Sequence, residues 1–75
     1  MNITVTTGSW AARYMDGDAA VLDMPEDSTP ADVISALGLP LDEAGIVSIN
    51  GKAVPRGHRL SDGDCLKIYP VIIGG

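Results

Sequence analysis

The chain has 75 residues, a formal net charge of −5, 45 % hydrophobic residues and 4 % aromatic residues. This length suits one domain with a single small core, and the absence of phenylalanine requires that core to be aliphatic. The negative charge argues against nucleic-acid binding, because phosphates require a basic surface. With one cysteine, no apolar leader and no long apolar run, we expect a cytoplasmic protein without an internal disulfide or a membrane contact.

The first half of the chain begins with two predicted strands, over residues 2–7 and 19–24, in which apolar and polar residues alternate. The long stretch between them is rich in turn residues, so we expect a hairpin with an enlarged loop. Trp10 and Tyr14 lie in this loop. We expect both rings to pack back onto the body, the alternative being a contact surface for a partner.

A helix is predicted to follow. Thr29 is the expected N-cap, Pro30 occupies the first helical position, and Asp32 places negative charge near the positive end of the helix dipole. Gly38 supplies the left-handed stop. The inward-facing stripe of this two-turn helix is expected at Val33, Ile34 and Leu37.

The second half predicts three more strands. Residues 46–49 and 52–54 flank Asn50-Gly51, the strongest hairpin signal in the chain, because both turn positions need positive φ. A loop over residues 55–60 and a tight turn over residues 61–64 lead to the last strand. Asp62 and Asp64 are interpreted as turn residues that bond their own backbone.

The last strand carries the predicted site. Its two-residue period buries Leu66 and Ile68 and turns Cys65, Lys67 and Tyr69 to the other face, although Cys65 is predicted to be a small packing residue at the strand's start. Proline has no N–H to donate, so Pro70 is expected to end the ladder and residues 70–75 to leave the sheet as a mobile arm. The arm holds three apolar residues and a diglycine: Val71, Ile72, Ile73, Gly74 and Gly75.

The order of elements predicts one domain over residues 1–75 of the α+β class. We expect a mixed sheet of four to five strands, with the helix crossing one face and the first and last strands side by side in the middle. The helix stripe should pack on the sheet face that holds the apolar strand residues, namely Ile3, Val5, Val47, Ile49, Leu66 and Ile68.

Basic residues are concentrated in the second part of the chain. Residues 1–45 hold one basic residue against eight acidic ones, a net −7, whereas residues 46–75 hold four against two, a net +2. The four are placed to meet an acidic partner beside the arm, and scattered solubilising charge explains them equally well. With Tyr69 they form the candidate partner surface: Lys52, Arg56, Arg59 and Lys67.

The chain resembles the β-grasp sulfur carriers of the ThiS and MoaD type, prokaryotic relatives of ubiquitin. The motifs that carry the resemblance occur in the order Ile49-Asn50-Gly51, Val54-Pro55-Arg56, Leu60-x-Asp62-Gly63-Asp64-x-Leu66-x-Ile68 and Gly74-Gly75. The resemblance implies that an E1-like enzyme of the MoeB or ThiF type, using ATP and Mg²⁺, adenylates the carboxylate of Gly75. Conversion to a thiocarboxylate would follow, with a synthase large subunit or a thiazole synthase accepting the sulfur.

The motifs divide between two branches of this family. Tyr69-Pro70-Val71 and the enlarged first loop look more like the molybdopterin branch, which is slightly favoured, whereas Val54-Pro55-Arg56 looks more like the thiamin branch. Ile72-Ile73 stands where the family would carry smaller residues, a departure that bears on which partner slot accepts the arm.

The sequence offers no catalytic constellation of its own. His58 and Cys65 are the sole histidine and cysteine, so we expect no metal site and no Cys-His nucleophile, and we interpret the protein as a carrier rather than an enzyme. Two other functions remain open. One is a ubiquitin-like modifier conjugated through Gly75, and the other is a binding domain with an inert tail.

Overall fold

The computed structural model describes residues 1–12, 14–15 and 17–71. Within this part of the chain the elements follow the predicted order. The strands and the α-helix are β1 (Asn2–Thr6), β2 (Ala19–Asp23), α1 (Pro30–Ala36), β3 (Ala44–Ile49), β4 (Lys52–Val54) and β5 (Cys65–Pro70), with a short 3₁₀ helix at Ser9–Ala11 between the first two. No helix among the described residues is long and apolar enough to span a membrane.

The five strands of the described chain form one mixed sheet in the order β2-β1-β5-β3-β4. β1 and β5 are parallel and adjacent, with Val5 opposite Leu66, and the other neighbours are antiparallel. The predicted α+β class, with one α-helix on one face of a mixed sheet, is confirmed. β5 therefore lies in the centre, between β1 and β3.

Local chemistry fixes both ends of α1. The side chain of Thr29 accepts a hydrogen bond from the backbone N–H of Asp32, whose carboxylate accepts the Thr29 N–H at 2.9 Å. After the helix, Gly38 adopts φ 75° and the Leu39 N–H donates to the Ile34 carbonyl at 3.1 Å. This pairing, with the Gly38 N–H bonded to the Ser35 carbonyl, is the Schellman arrangement that satisfies the last carbonyls of a helix.

The helix stripe is partly as predicted. Val33 and Ile34 are fully buried, but Leu37 caps the helix and is only half-buried. Leu39, which the predicted stripe did not include, lies in the core with 4 % of its surface exposed. The left-handed turn at Gly38 redirects the chain so that this side chain is buried. All three predicted residues therefore pack on the core, Leu37 only in part.

The core lies between α1 and one face of the sheet. All six strand residues predicted to be buried belong to it, together with Val33 and Ile34. Trp10 and Tyr14 are partly buried against this core, so the predicted packing of the loop aromatics is confirmed. The core also includes residues that no periodic pattern marks: Ala11, Met24, Leu39, Ala44 and Leu60.

Turns hold the remaining strands in register. Asn50 and Gly51 have φ of 51° and 86°, and Ile49 pairs with Lys52 across them, so the predicted hairpin is confirmed. In the turn before β5 the carboxylate of Asp64 accepts the Ser61 N–H at 2.8 Å, as expected. The Asp62 carboxylate was expected to bond its own turn, but it accepts the N–H of Asn2 at 2.6 Å instead and ties the turn to the start of β1.

Candidate functional site at the base of the C-terminal arm

β5 carries the chain from the core to the predicted site. Leu66 and Ile68 are each 1 % exposed on the helix side, whereas Lys67 and Tyr69 lie on the open face of the sheet. Cys65 is exposed on that open face, so its predicted packing role is wrong. The reason is the two-residue period of the strand, which places Cys65 on the same side as Lys67 and Tyr69.

The pairing of β5 continues further than the sequence predicted. Pro70 was expected to end the ladder, yet β5 includes Pro70, which lies opposite Ala44 of β3. The next residue continues the pairing, because the Val71 N–H donates to the Glu43 carbonyl at 2.9 Å. Pro70 has no N–H to donate to β3, and the N–H of Val71 supplies the next hydrogen bond between the two segments. The other predicted arm residues, 72–75, lie outside the described residues.

A glycine allows this close approach. The register of β3 and β5 shifts between Ala44 and Val47, and Gly45 lies at the shift. A Cβ on Gly45 would stand 2.7 Å from the Pro70 carbonyl oxygen, closer than real Cβ contacts allow. The end of β5 can therefore lie against the backbone of β3 only while this position lacks a side chain.

Arg56 binds the backbone just before and at the start of β3, next to the end of β5. It was predicted to be available to a partner, but its guanidinium is directed at backbone carbonyls of its own chain. Nη1 donates to Leu41 at 2.8 Å, Nη2 donates to Ala44, and the Gly45 carbonyl lies 3.5 Å from Nη2. The side chain is half-buried. It satisfies carbonyls that the irregular connection over residues 41–45 would otherwise leave without donors.

The other predicted partner residues are spread over the molecule. Lys67 Nζ lies 5.3 Å from the ring centroid of Tyr69, a cation–π contact near the base of the arm. Lys52 opposes Ile49, which in turn opposes Leu66, so it lies toward the end of β5 remote from Pro70. Arg59 faces Asp27 at 3.8 Å, with both side chains mostly exposed. The structure thus brings Lys67 and Tyr69 to the arm and leaves Lys52 and Arg59 away from it.

Exposed apolar side chains surround the base of the arm. Within the described residues the large exposed ones are Val21, Leu41, Ile46, Tyr69 and Val71, and all but Val21 belong to β5, the arm or residues 41–46 beside them. We call Leu41, Ile46, Tyr69 and Val71 the arm-base patch. Ile46, 63 % exposed, was not among the predicted site residues, although the two-residue period that buries Val47 and Ile49 already turns it outward.

The first loop reaches this region as well. The Tyr14 hydroxyl donates to a carboxylate oxygen of Glu43 at 2.6 Å, and the Glu43 carbonyl accepts the Val71 N–H. Trp10 in the same loop has a buried Nε1 without a hydrogen-bond partner among the described residues. No group of metal-ligating side chains occurs in the part of the chain that the structure describes.

The sheet order, the helix on one face and the parallel pairing of the first and last strands in the centre define a ubiquitin-like β-grasp protein. SAMP1 from Haloferax volcanii has the same fold, with a TM-score of 0.77, 22 % identity and full coverage of both chains. The H. volcanii HVO 2177 protein matches with a TM-score of 0.81 and 20 % identity, covering 100 % of this chain and 87 % of that one. At these identities the likeness establishes the fold.

A third solved structure is a putative molybdopterin converting factor, subunit 1, from Pyrococcus furiosus, with a TM-score of 0.77, 17 % identity and coverage of 96 % of this chain and 99 % of that one. The family model described as Mut7-C ubiquitin matches residues 12–73, so the chain belongs to the Mut7-C ubiquitin family. No curated protein sequence matches it. The predicted resemblance to ThiS/MoaD-type ubiquitin-like β-grasp proteins is confirmed.

Proposed function

We propose that the protein is a sulfur carrier whose C-terminal Gly75 is activated as an acyl adenylate and then bears a thiocarboxylate. The observation that carries the proposal is the central strand β5, which delivers its C-terminal end to a base surrounded by exposed apolar side chains. Gly74 and Gly75 follow three apolar residues in the sequence. Such an end suits insertion into another protein, because glycine lacks the Cβ that would block a narrow slot.

The proposed chemistry needs a partner with its own catalytic groups. A carboxylate is a poor electrophile, so the Gly75 carboxylate first attacks the α-phosphorus of ATP and displaces pyrophosphate. A sulfur nucleophile then attacks the acyl carbon and AMP leaves. Mg²⁺ and the cationic groups that stabilise the developing charge belong to an E1-like activating enzyme. The carrier contributes the arm and a surface on which that enzyme docks.

The arm-base patch is the proposed docking surface, together with Lys67. Its four apolar side chains flank the point where the arm begins, so one partner can cover them while it takes up residues 72–75. Each apolar side chain that becomes fully buried contributes roughly 1.5–3 kcal/mol before the costs of ordering are subtracted. Lys67 and Tyr69 add a cation and an aromatic ring, which suits a partner with an acidic rim.

A cofactor-biosynthesis pathway is the proposed destination of the sulfur. Tyr69-Pro70-Val71 and the enlarged first loop favour the molybdopterin branch, and a solved structure of the same fold is named a putative molybdopterin converting factor subunit. Val54-Pro55-Arg56 favours the thiamin branch. The sulfur acceptor would accordingly be a synthase large subunit or a thiazole synthase.

Protein modification is the second candidate function. A solved structure of the same fold is named a small archaeal modifier protein, and an activated Gly75 carboxylate could react with a lysine amine as well as with sulfur. The same acyl adenylate would precede both reactions. The two functions therefore differ in the nucleophile that the activated carboxylate meets.

Intact-mass analysis distinguishes these functions. The intact mass of the purified protein is first measured to establish that its chain ends at Gly75. The protein is then incubated with an E1-like activating enzyme, ATP, Mg²⁺ and a sulfur donor. Exchange of one oxygen for sulfur supports the carrier. Lysine conjugates in a lysate supplemented with ATP support the modifier, and an unchanged mass with every activating enzyme of the source cell contradicts both.

A further inference from the structure

The position where the arm begins depends on residues 41–45, the end of the loop after α1 and the first two residues of β3. The backbone of this segment, called the connection below, meets Pro70 and Val71. The Glu43 carbonyl accepts the Val71 N–H at 2.9 Å, and Ala44 lies opposite Pro70. Gly45 approaches the Pro70 carbonyl so closely that a Cβ there would collide with it. The positions of Pro70 and Val71 therefore depend on the conformation of residues 41–45.

Arg56 is the long-range anchor of that connection. Within the connection, the N–H groups of Glu43 and Ala44 both donate to the Pro40 carbonyl, which gives one irregular turn. Arg56 reaches it from another loop with a planar fork of donors, which binds Leu41 and Ala44 at the same time. Its own backbone carbonyl accepts the N–H of Ala31 in the first turn of α1 at 3.2 Å, so both ends of the residue are fixed.

We propose that Arg56 is a positioning residue for the base of the C-terminal arm, holding residues 41–45 so that Pro70 and Val71 stay paired with Ala44 and Glu43. The part of this inference that concerns activation by the partner enzyme rests on the proposed sulfur-carrier function. When the base is already held in place, less conformational freedom is lost as the arm enters the activating enzyme. Arg56 acts through the backbone of Leu41 and Ala44 and has no part in the proposed chemistry, so its loss should raise the KM for the carrier and leave kcat nearly unchanged.

Three variants test this inference. Arg56→Gln removes the charge and the fork, and Arg56→Lys keeps the charge and supplies a single ammonium in place of the fork. Arg59→Gln is the matched control, since it makes the same change in the same loop at a side chain that is 81 % exposed. Amide hydrogen exchange at Val71 reports the base of the arm, and exchange at the buried Ile68 reports the sheet as a whole.

We expect Val71 to exchange about tenfold faster in Arg56→Gln than in the unaltered protein, with Ile68 little changed, an intermediate rate in Arg56→Lys and no change in Arg59→Gln. The KM for activation should rise in the same order. Unchanged exchange at Val71, or equal acceleration at Val71 and Ile68, would overturn the positioning role. If Arg56→Gln does not fold, the exchange rates at Val71 and Ile68 are compared between Arg56→Lys and Arg59→Gln. Faster exchange at Val71 alone in Arg56→Lys supports the positioning role, and equal rates in the two variants overturn it.

The exchange measurement needs no partner enzyme, so the two claims fail separately. If no activating enzyme accepts the unaltered protein, the sulfur-carrier function is wrong, while a selective effect at Val71 still establishes that Arg56 positions the base of the arm. If activation proceeds but Arg56→Gln has the KM of the unaltered protein, the function stands and the role of Arg56 in activation is wrong.

Discussion

At the scale of single residues, the structure differs from sequence expectations where a turn or a bulge redirects the chain. Leu37 is only partly buried, whereas Leu39, just beyond the left-handed turn at Gly38, lies in the core, and β5 continues through Pro70 beside the register shift at Gly45. Periodicity assumes that an element continues unchanged, so it has no means of placing a residue just beyond an irregular position. Arg56 is a similar case, because nothing in its local sequence reveals that carbonyls from residues 41–45 surround it.

Leu39 should matter more for stability than Leu37. Replacing the buried Leu39 by Ala removes core volume and should lower the free energy of unfolding by about 2–5 kcal/mol, whereas the half-buried Leu37 should lose less than about 2 kcal/mol on the same change. Urea unfolding of the two variants measures the difference directly. An equal loss, or a larger one for Leu37→Ala, would show that the helix stripe ends as the simple period predicts.

Gly45 should tolerate no side chain. The methyl group of Gly45→Ala would meet the Pro70 carbonyl and should lower the free energy of unfolding by about 1–3 kcal/mol, the usual range for overpacking. Gly57→Ala is the control, since a Cβ at Gly57 meets nothing within 4 Å. Equal stability of the two variants in urea would contradict the close contact between β3 and the end of β5.

At the scale of elements, the sequence was informative because most signals are local. The N-cap at Thr29 and the Asn50-Gly51 turn each depend on a few neighbouring residues, and each forms as expected. The end of β5 was harder to predict. Whether Pro70 ends the strand depends on Glu43 and Ala44, which approach it only once the sheet has formed.

The N-cap of α1 provides a test at this scale. α1 is seven residues long, so its first turn is a large part of the helix. Thr29→Ala removes the acceptor for the Asp32 N–H and should cost about 1 kcal/mol of unfolding free energy. Ser35→Ala, at an exposed position within the helix, should cost nothing, because alanine is the better helix former. A smaller loss for Thr29→Ala than for Ser35→Ala would contradict the assigned cap.

At the scale of the whole molecule, the sequence predicted the architecture well and the surface less well. The order of elements and the motifs around Asn50-Gly51 and Asp62-Gly63-Asp64 were enough to indicate the β-grasp fold, which the solved structures share. The arm-base patch is assembled from β5, the arm and residues 41–46. Its members are distant in sequence, so they become a candidate surface only in the folded molecule.

Ile46 and Val21 test the proposed docking surface. Both are exposed strand residues, but Ile46 lies near the base of the arm and Val21 is on β2 at the far edge of the sheet. Ile46→Asp should raise the KM for activation about tenfold, as expected for an apolar anchor at an interface. Val21→Asp should leave the KM unchanged. Equal effects of the two changes would show that the partner docks elsewhere or that neither residue is involved.

The central claim is that Gly75 bears the sulfur and that Gly74 lets the arm pass into the activating enzyme. The most direct test is intact-mass analysis of Gly74→Ala and Gly57→Ala after incubation with the activating enzyme, ATP, Mg²⁺ and a sulfur donor. We predict that Gly57→Ala exchanges one oxygen for sulfur as the unaltered protein does, whereas Gly74→Ala keeps its original mass although both fold. Sulfur uptake by Gly74→Ala at the rate of Gly57→Ala would contradict the account.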